Sequence, residues 1–235
     1  MKKTLIITTL ALLLSGSFFA QNLASQRKIN NFTEYVDRFN TNEIYHPENS
    51  DEYIGSPYHH DSYLLGNIYY NNELMQKNIA LRYNVLADEI EYKTSIMDED
   101  SKAQALVKSE DVFVTINGVI FVYITSKGYF EVIYDGINFS LIKKITVKYY
   151  PEKKPANNYD QGSPPTFTNK EALFIYSKEG AIYEFPKSKN KRLKVFGNSQ
   201  AEVKAYIKKN KLNINNEKDL RKIVMYLDSV KGAIL

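Results

Sequence analysis

Between residues 64 and 184 the chain alternates β-branched and aromatic runs with two-residue turn signals, and this pattern limits the possible folds more than any other feature. FVTINGVIFVYI sets Asn117 and Gly118 between two such runs. A type I′ hairpin turn needs positive φ at both central positions, which Asn and Gly tolerate. FVYITSKGYFEVIYDGINFSLIKKITVKYY continues with Gly128 in one turn and Asp135 with Gly136 in the next, and LFIYSKEGAIYEF repeats the arrangement around Gly180. Upstream, LGNIYYNNELMQKNIALRYNVLADEIEYK reads as three strands broken at Asn71 and Asn72 and near Ala87 and Asp88. Connections this short cannot hold crossover helices, so sequential strands are expected as antiparallel neighbours. The expected product is a meander of roughly nine to eleven strands.

The flanks carry a different period. In QRKINNFTEYVDRFN, Ile29, Phe32, Val36 and Phe39 recur at helical spacing beside Tyr35. TNEIYHPENSDEYIGSPYHHDSY then reads as a long connection or an extended segment draped over the sheet, interrupted by Pro47, Gly55 and Pro57. PEKKPANNYDQGSPPT carries prolines at 151, 155, 164 and 165, which remove ladder donors and favour a surface loop, a place where one sheet could end and another begin. Near the C-terminus, Ser199 and Glu202 are spaced as a capping box ahead of an apolar stripe of Val203, Tyr206 and Ile207. Asn216 is placed to cap a second helix with Leu220, Ile223, Val224, Leu227 and Val230 on one face.

The fold class expected is α+β, predominantly β: a curved antiparallel meander, as a single large sheet or a sandwich, with a C-terminal two-helix hairpin. Along the chain this gives a signal peptide at 1–20 and an N-terminal helix or arm at 21–60. An antiparallel β domain at 61–196 follows, with its proline-rich loop at 151–165, and a helical hairpin at 197–235 packs on it.

MKKTLIITTLALLLSGSFFAQ has the anatomy of a secretory signal: Lys2 and Lys3, an apolar run from Leu5 to Leu14, then small residues. The run is shorter than the ~20 residues that cross a bilayer. Cleavage is expected after Ala20, with Ser17 and Ala24 as alternatives. The chain has no cysteine. Lipid-modified N-terminal cysteine, disulfides, thiol nucleophiles and thiolate metal sites are therefore excluded. With Lys2 and Lys3 removed, the basic count falls from 31 to 29 against 27 acidic residues, too balanced to argue for nucleic acid or another polyanion.

Four groups of residues invite a chemical reading. SPYHHDSY places Ser56 near His59, His60 and Asp61, the residue types of metal and acid-base sites. In a strand, neighbouring side chains point to opposite faces, so one ion would need one histidine together with His46 and a carboxylate such as Asp61 or Glu48. Ser56 would need a histidine in contact, and no nucleophile elbow surrounds it. A surface cluster is the favoured reading. Asp88, Glu89 and Glu91 in DEIEY suggest paired carboxylates, since Glu89 and Glu91 share a strand face about 7 Å apart. Alternation with Ile90 and Tyr92 instead favours a half-exposed strand. DEDSK at 98–102 lacks the ligand spacing of a calcium loop and reads as a solvated turn. KSKNKRLK at 187–194 reads as a solvated edge strand or loop, with contact to anionic lipid or cell-wall polymer as the alternative. The 19 tyrosines suit the wet side of a sheet or a concave aromatic binding face.

GSPY at 55–58, LRYNVLADEIEYK at 81–93, GYFEVIYDG at 128–136, PEKKPANNY, and EVKAYIKKNKLNINNEKDLRKIVMYLDSV at 202–230 together resemble a group of exported proteins of Bacteroidetes bacteria. The resemblance covers nearly all of the chain after the signal. It implies export and no established activity, so no catalytic residue, binding residue or cofactor is carried over, and His59 and His60 are outside the shared pattern. The amphipathic helical ending argues against an outer-membrane barrel. The tail GAIL shows no β-rich sorting domain, which favours periplasm or outer-membrane association over surface display.

The expected function is a non-enzymatic exported cell-envelope protein that binds a partner or serves as a structural component. One alternative is a periplasmic carrier of a lipid or small apolar ligand in a curved sheet, in a cavity lined from LGNIYY, FVYI and YFEVIY. Another is a metal-dependent hydrolase at His59 and His60.

Overall fold

A computed structural model describes residues 53–155, 159 and 161–230. The signal region, the helix expected between 22 and 40, His46, Glu48 and residues 231–235 lie outside the described residues.

Ten strands form one antiparallel sheet. They are β1 (Leu64–Tyr70), β2 (Glu73–Asn84), β3 (Glu89–Lys93), β4 (Gln104–Ala105), β5 (Val112–Ile116), β6 (Val119–Ile124), β7 (Gly128–Asp135), β8 (Phe139–Tyr150), β9 (Thr166–Ser177) and β10 (Ile182–Glu184). The turns follow from their residues. Asn117 and Gly118 take φ of 49° and 83°, and Asn71 and Asn72 take 49° and 62°, the paired left-handed conformations of a type I′ hairpin.

The meander is not continuous. Strand order across the sheet is β10-β9-β8-β7-β6-β5-β1-β2-β3-β4, so β1 sits between β2 and β5, and the chain returns from the β4 edge to β1's other side. Residues 106–111 make this return. Residues 106–109 cross one end of the curl and a turn closed by the Val112 N–H donating to the Ser109 carbonyl at 3.2 Å leads into β5. The Leu106 N–H donates to the Ile90 carbonyl at 2.7 Å, and the Asn71 N–H donates to the Asp111 carbonyl at 2.9 Å. Leu106 is itself buried, which ties the link to the core. The proline-rich loop also differs from expectation. It joins β8 and β9, which pair with each other along all twelve residues from Phe139 opposite Ser177 to Tyr150 opposite Thr166, so no sheet ends there.

The concave face of the sheet is filled. Ile68, Leu81, Val112, Val114, Ile116, Phe121 and Ile145 form one cluster around Tyr83 and Tyr129. Tyr63, Tyr83 and Tyr129 are only 5%, 2% and 1% exposed, so these tyrosines are core residues and not the wet aromatic face that composition suggested. Further along the same face, Phe139, Leu141 and Ile175 pack against three helices: α1 (Lys189–Lys194), α2 (Gln200–Lys209) and α3 (Glu217–Ser229). Leu220, Ile223, Val224 and Leu227 of α3 are fully buried there, each contributing roughly 1.5–3 kcal/mol of apolar transfer.

Two local expectations in this region are corrected. KSKNKRLK is not an edge strand: it forms α1, because Leu193 and Phe196 at three-residue spacing turn into the helical cluster. Arg192 is anchored, its Nε donating to the Pro186 carbonyl at 2.8 Å and its Nη1 to the Ile214 carbonyl at 2.7 Å. Ser199 and Glu202 form no capping box. A 3-10 turn at Gly197–Ser199 leads into α2, leaving Ser199 at φ −83°, ψ 2°, where its side chain makes no capping bond. A capping residue needs extended backbone. Glu202 instead accepts from the Tyr226 hydroxyl at 2.9 Å. Asn216 does cap α3, accepting from the Asp219 N–H at 3.1 Å. No helix among the described residues is long and apolar enough to cross a membrane.

Candidate functional site

Residues 53–63 form an extended strap that stitches β9 to the end of β2. At one end Ile54 donates its N–H to the Pro165 carbonyl at 2.9 Å and accepts from the Phe167 N–H at 2.8 Å. At the other, the His59 N–H donates to the Tyr83 carbonyl and the Pro57 carbonyl accepts from the Val85 N–H, both at 2.9 Å. Gly55 is required here, because it has φ 83° and any Cβ would lie 2.3 Å from the Phe167 carbonyl oxygen.

The strap decides what the histidines do. The His59 ring meets Phe121 edge-on at 5.4 Å and His60 edge-on at 4.5 Å. Burial, then the neighbouring His60 and Lys143, hold His59 down to about 4, so at ordinary pH it is a neutral packing group. Ser56 donates to Asp61 and accepts from the Tyr58 N–H at 3.1 Å, which closes the strap's own turn. Among the described residues no group of three or more His, Asp or Glu side chains is placed to hold a metal ion. His46 and Glu48, the further ligands such a site would recruit, are outside the described residues.

The acidic group of DEIEY is divided among three cations. Asp88 faces Lys144 at 3.0 Å, Glu89 faces Lys108 at 3.6 Å, and Glu91 faces Arg82 at 2.8 Å. Glu91 is fully buried, correcting the half-exposed strand expected for it. The reason is the strap, which covers the second face of β3. The Tyr63 hydroxyl donates to Glu91 at 2.9 Å, Asn84 Nδ2 donates at 3.0 Å, and Arg82 lies 3.8 Å beneath the Tyr58 ring. DEDSK contributes to the same cluster: Asp100, in a 3-10 turn, accepts from Lys93 Nζ at 2.9 Å and from Arg82 Nη1 at 3.4 Å. These polar groups lock the strap to the sheet.

An apolar surface is left open on the other side of the sheet. A groove of about 460 Å³ crosses β5 to β9, floored by Phe113, Val122, Ile124, Val132, Ile142 and Tyr176. Register explains its continuity. Phe113 pairs with Val122, Ile120 with Val132, and Val132 with Ile142, so their side chains share the outer face in adjacent rows. Ile120 stands at its rim, 36% exposed. A bulge between Val132 and Tyr134 then turns Asp135 onto this face opposite Ser140. Asp135 accepts from Ser140 Oγ at 2.6 Å and from Lys178 Nζ at 2.5 Å. Although burial pushes this carboxyl up, the lysine and serine bonds outweigh it and keep it below its ordinary range. At the opposite end Glu110 accepts from the Thr125 N–H at 2.7 Å, and that bond lowers its pKa. The groove is thus an apolar trough with a charge pair at one end and a carboxylate at the other.

Sequence reasoning anticipated part of this lining. FVYI and YFEVIY do contribute, through Val122, Tyr123, Ile124 and Val132, whereas LGNIYY does not. A cavity held within the curved sheet is not what the structure has: that space is filled by core, and the groove is on the outer face. The available signal was the run of apolar residues at consecutive positions in VIFVYI, which leaves an apolar row on each face of β6. Compared against known protein families, curated proteins and solved structures, the chain matches none.

Proposed function

We propose that this chain is an exported, non-enzymatic cell-envelope protein that carries a small apolar ligand on the outer face of its curved sheet. Its reading as an export rests on the signal-like residues 1–20 and on the resemblance carried by GSPY, GYFEVIYDG and the C-terminal helical segment. The observation that carries the ligand reading is the groove floored by Phe113, Val122, Ile124, Val132, Ile142 and Tyr176. Its volume of about 460 Å³ lies inside the range of roughly 300–1,000 Å³ usual for small-molecule sites, and its few polar groups sit at the ends, where they would orient a ligand. The ion pairs around Asp88, Glu89 and Glu91 favour a non-catalytic reading, because each carboxylate already has a cation of its own.

Titration with a fluorescent fatty acid tests the proposal. Saturable binding is expected, weakened at least about tenfold, the equivalent of about 1.4 kcal/mol, by Ile120→Asp or Val132→Asp. Leu65→Asp, at a 53% exposed apolar position outside the groove, should leave the affinity unchanged. Equal binding by wild type and Ile120→Asp would overturn the assignment.

A further inference from the structure

The near-balance of charge over the whole chain conceals two opposed regions. Residues 53–186, which make the strap, the sheet and its loops, hold 13 Lys and Arg against 17 Asp and Glu, a net charge of −4. Residues 187–222, which make the helical layer, hold 12 Lys and Arg against only Glu202, Glu217 and Asp219, a net charge of +9. Those three carboxylates are already engaged. Glu217 faces Lys143 at 3.4 Å, Asp219 faces Lys222 at 3.2 Å, and Glu202 accepts from the Tyr226 hydroxyl. Among the described residues, no carboxylate pairs with Lys189, Lys191 or Lys194 of α1, with Lys204 or Lys208 of α2, or with Lys218 of α3.

Burial sets which way these lysines face. The apolar side of α3 turns Leu220, Ile223, Val224 and Leu227 into the core, which puts Lys218, Lys222 and Met225, at i, i+4 and i+7, on the opposite side. All three are exposed, Met225 by 41%. In α2, Val203 and Ile207 face the core, and Lys204 and Lys208, one position further on, stand clear of it. The lysines of α1 are exposed as well. Because α1 packs on α2 and α2 on α3, with the Tyr206 and Tyr226 rings stacked at 3.9 Å, the helices form one layer with its inner side on the sheet and its outer side to solvent.

The cations are thus spread over a surface and not along a line. A linear polyanion follows a single row of charge, and sites for nucleic acid add arginine forks or free aromatic rings. Here lysine predominates, and the two tyrosines are stacked on each other. A two-dimensional array matches an anionic lipid surface, to which long lysine stems carry their charge. The apolar stripes of α2 and α3 are buried in the core, so the contact is electrostatic and shallow.

We propose that the outer side of the three-helix layer lies on an anionic lipid surface, held by the lysines of α1, α2 and α3, with the net-negative sheet turned away from it. The helices pack on the concave face and the groove is on the outer one, so the contact leaves the groove open and stands independently of the ligand reading.

Co-sedimentation of the full chain with phosphatidylcholine vesicles, with and without phosphatidylglycerol, tests it. Retention is expected on the anionic vesicles, falling as salt rises, with little on the neutral ones. Lys204→Gln, Lys208→Gln and Lys218→Gln should each weaken partitioning about fivefold, the equivalent of about 1 kcal/mol per basic residue near an anionic surface. Lys77→Gln, the same change of charge on β2, should leave it unchanged. All four lysines are exposed, so the variants keep the wild-type fold, which far-UV circular dichroism verifies. Failure to sediment with the anionic vesicles, equal retention on both kinds, or a loss in Lys77→Gln equal to that in Lys208→Gln would overturn the proposal. Capture by immobilised duplex DNA or alginate at a salt concentration that strips the protein from the vesicles would do the same.

Discussion

Arg82 and Glu91 show how much one buried pair can carry. Glu91 is 0% exposed and Arg82 is 6% exposed. Glu91 takes two of the guanidinium's N–H groups, from Nε at 3.0 Å and Nη2 at 2.8 Å, and the Tyr63 hydroxyl and Asn84 amide complete its shell. Burial alone would depress the arginine, but the Glu91 charge and its hydrogen bonds outweigh that and hold it above its ordinary value. Removing one partner leaves the other charged and buried, which costs more than the pair contributes when intact. Glu91→Gln is expected to destabilise the fold by about 3–5 kcal/mol. A urea titration reads this as a lower midpoint with an unchanged slope, and a loss below about 1 kcal/mol would mean that water reaches the site.

Elements here are held at their ends as firmly as along their lengths. The C-terminal turn of α3 is fixed by Asp228, whose carboxylate accepts from the N–H groups of Ile137, Asn138 and Phe139 at 3.0, 2.7 and 2.9 Å. The Tyr134 hydroxyl adds a fourth bond at 3.0 Å. Three successive amides of the β7–β8 turn thus form a concave anion site that the protein fills with its own side chain. Burial raises this carboxyl, but the backbone bonds prevail and set it below its ordinary 3.8. Its stabilisation is therefore complete above that value and is lost as the pH falls through the lower, folded one. Asp228→Ala is expected to cost about 1–2 kcal/mol at neutral pH. Thermal melts from pH 7 down to pH 2 check it: the variant and the wild type should converge in acid, and a constant gap would assign the loss to packing instead.

At the scale of the molecule, β8 joins what would otherwise be two cores. Phe139 and Leu141 belong to the helical cluster, while Ile145, on the same face of the same strand, belongs to the cluster inside the curl. Side chains of alternate residues share a face, so neither cluster can separate without bending β8. One cooperative unfolding transition is expected, with strand and helix signals in far-UV circular dichroism lost together. Leu141→Ala should lower both by the same amount, about 2–5 kcal/mol. Separate midpoints for the two signals would show that the helices leave the sheet first.

Strand identity and most turns were readable from local chemistry, because an Asn-Gly pair or an apolar run of period two acts through its own backbone. The same holds for Asn216, whose cap needs only the amide three residues on, and for the apolar stripe of α3. Features that depended on distant partners were not readable in this way. The placement of β5 beside β1 depends on how the curl brings residues 106–111 across its end. The burial of Glu91 depends on a strap some thirty residues upstream, and Ser199 lost its capping role to a 3-10 turn seated by Phe196 in the core. SPYHHDSY is the sharpest case. Its composition suggested chemistry, and its place in the fold makes it the strap: the backbone of His59 closes onto Tyr83 while its ring packs on Phe121. The groove was half legible, since an apolar row on each face of β6 follows from VIFVYI alone. Which face faces solvent was decided by the curvature of the sheet and docking of the helices, because burial is a property of the whole surface and not of any one strand.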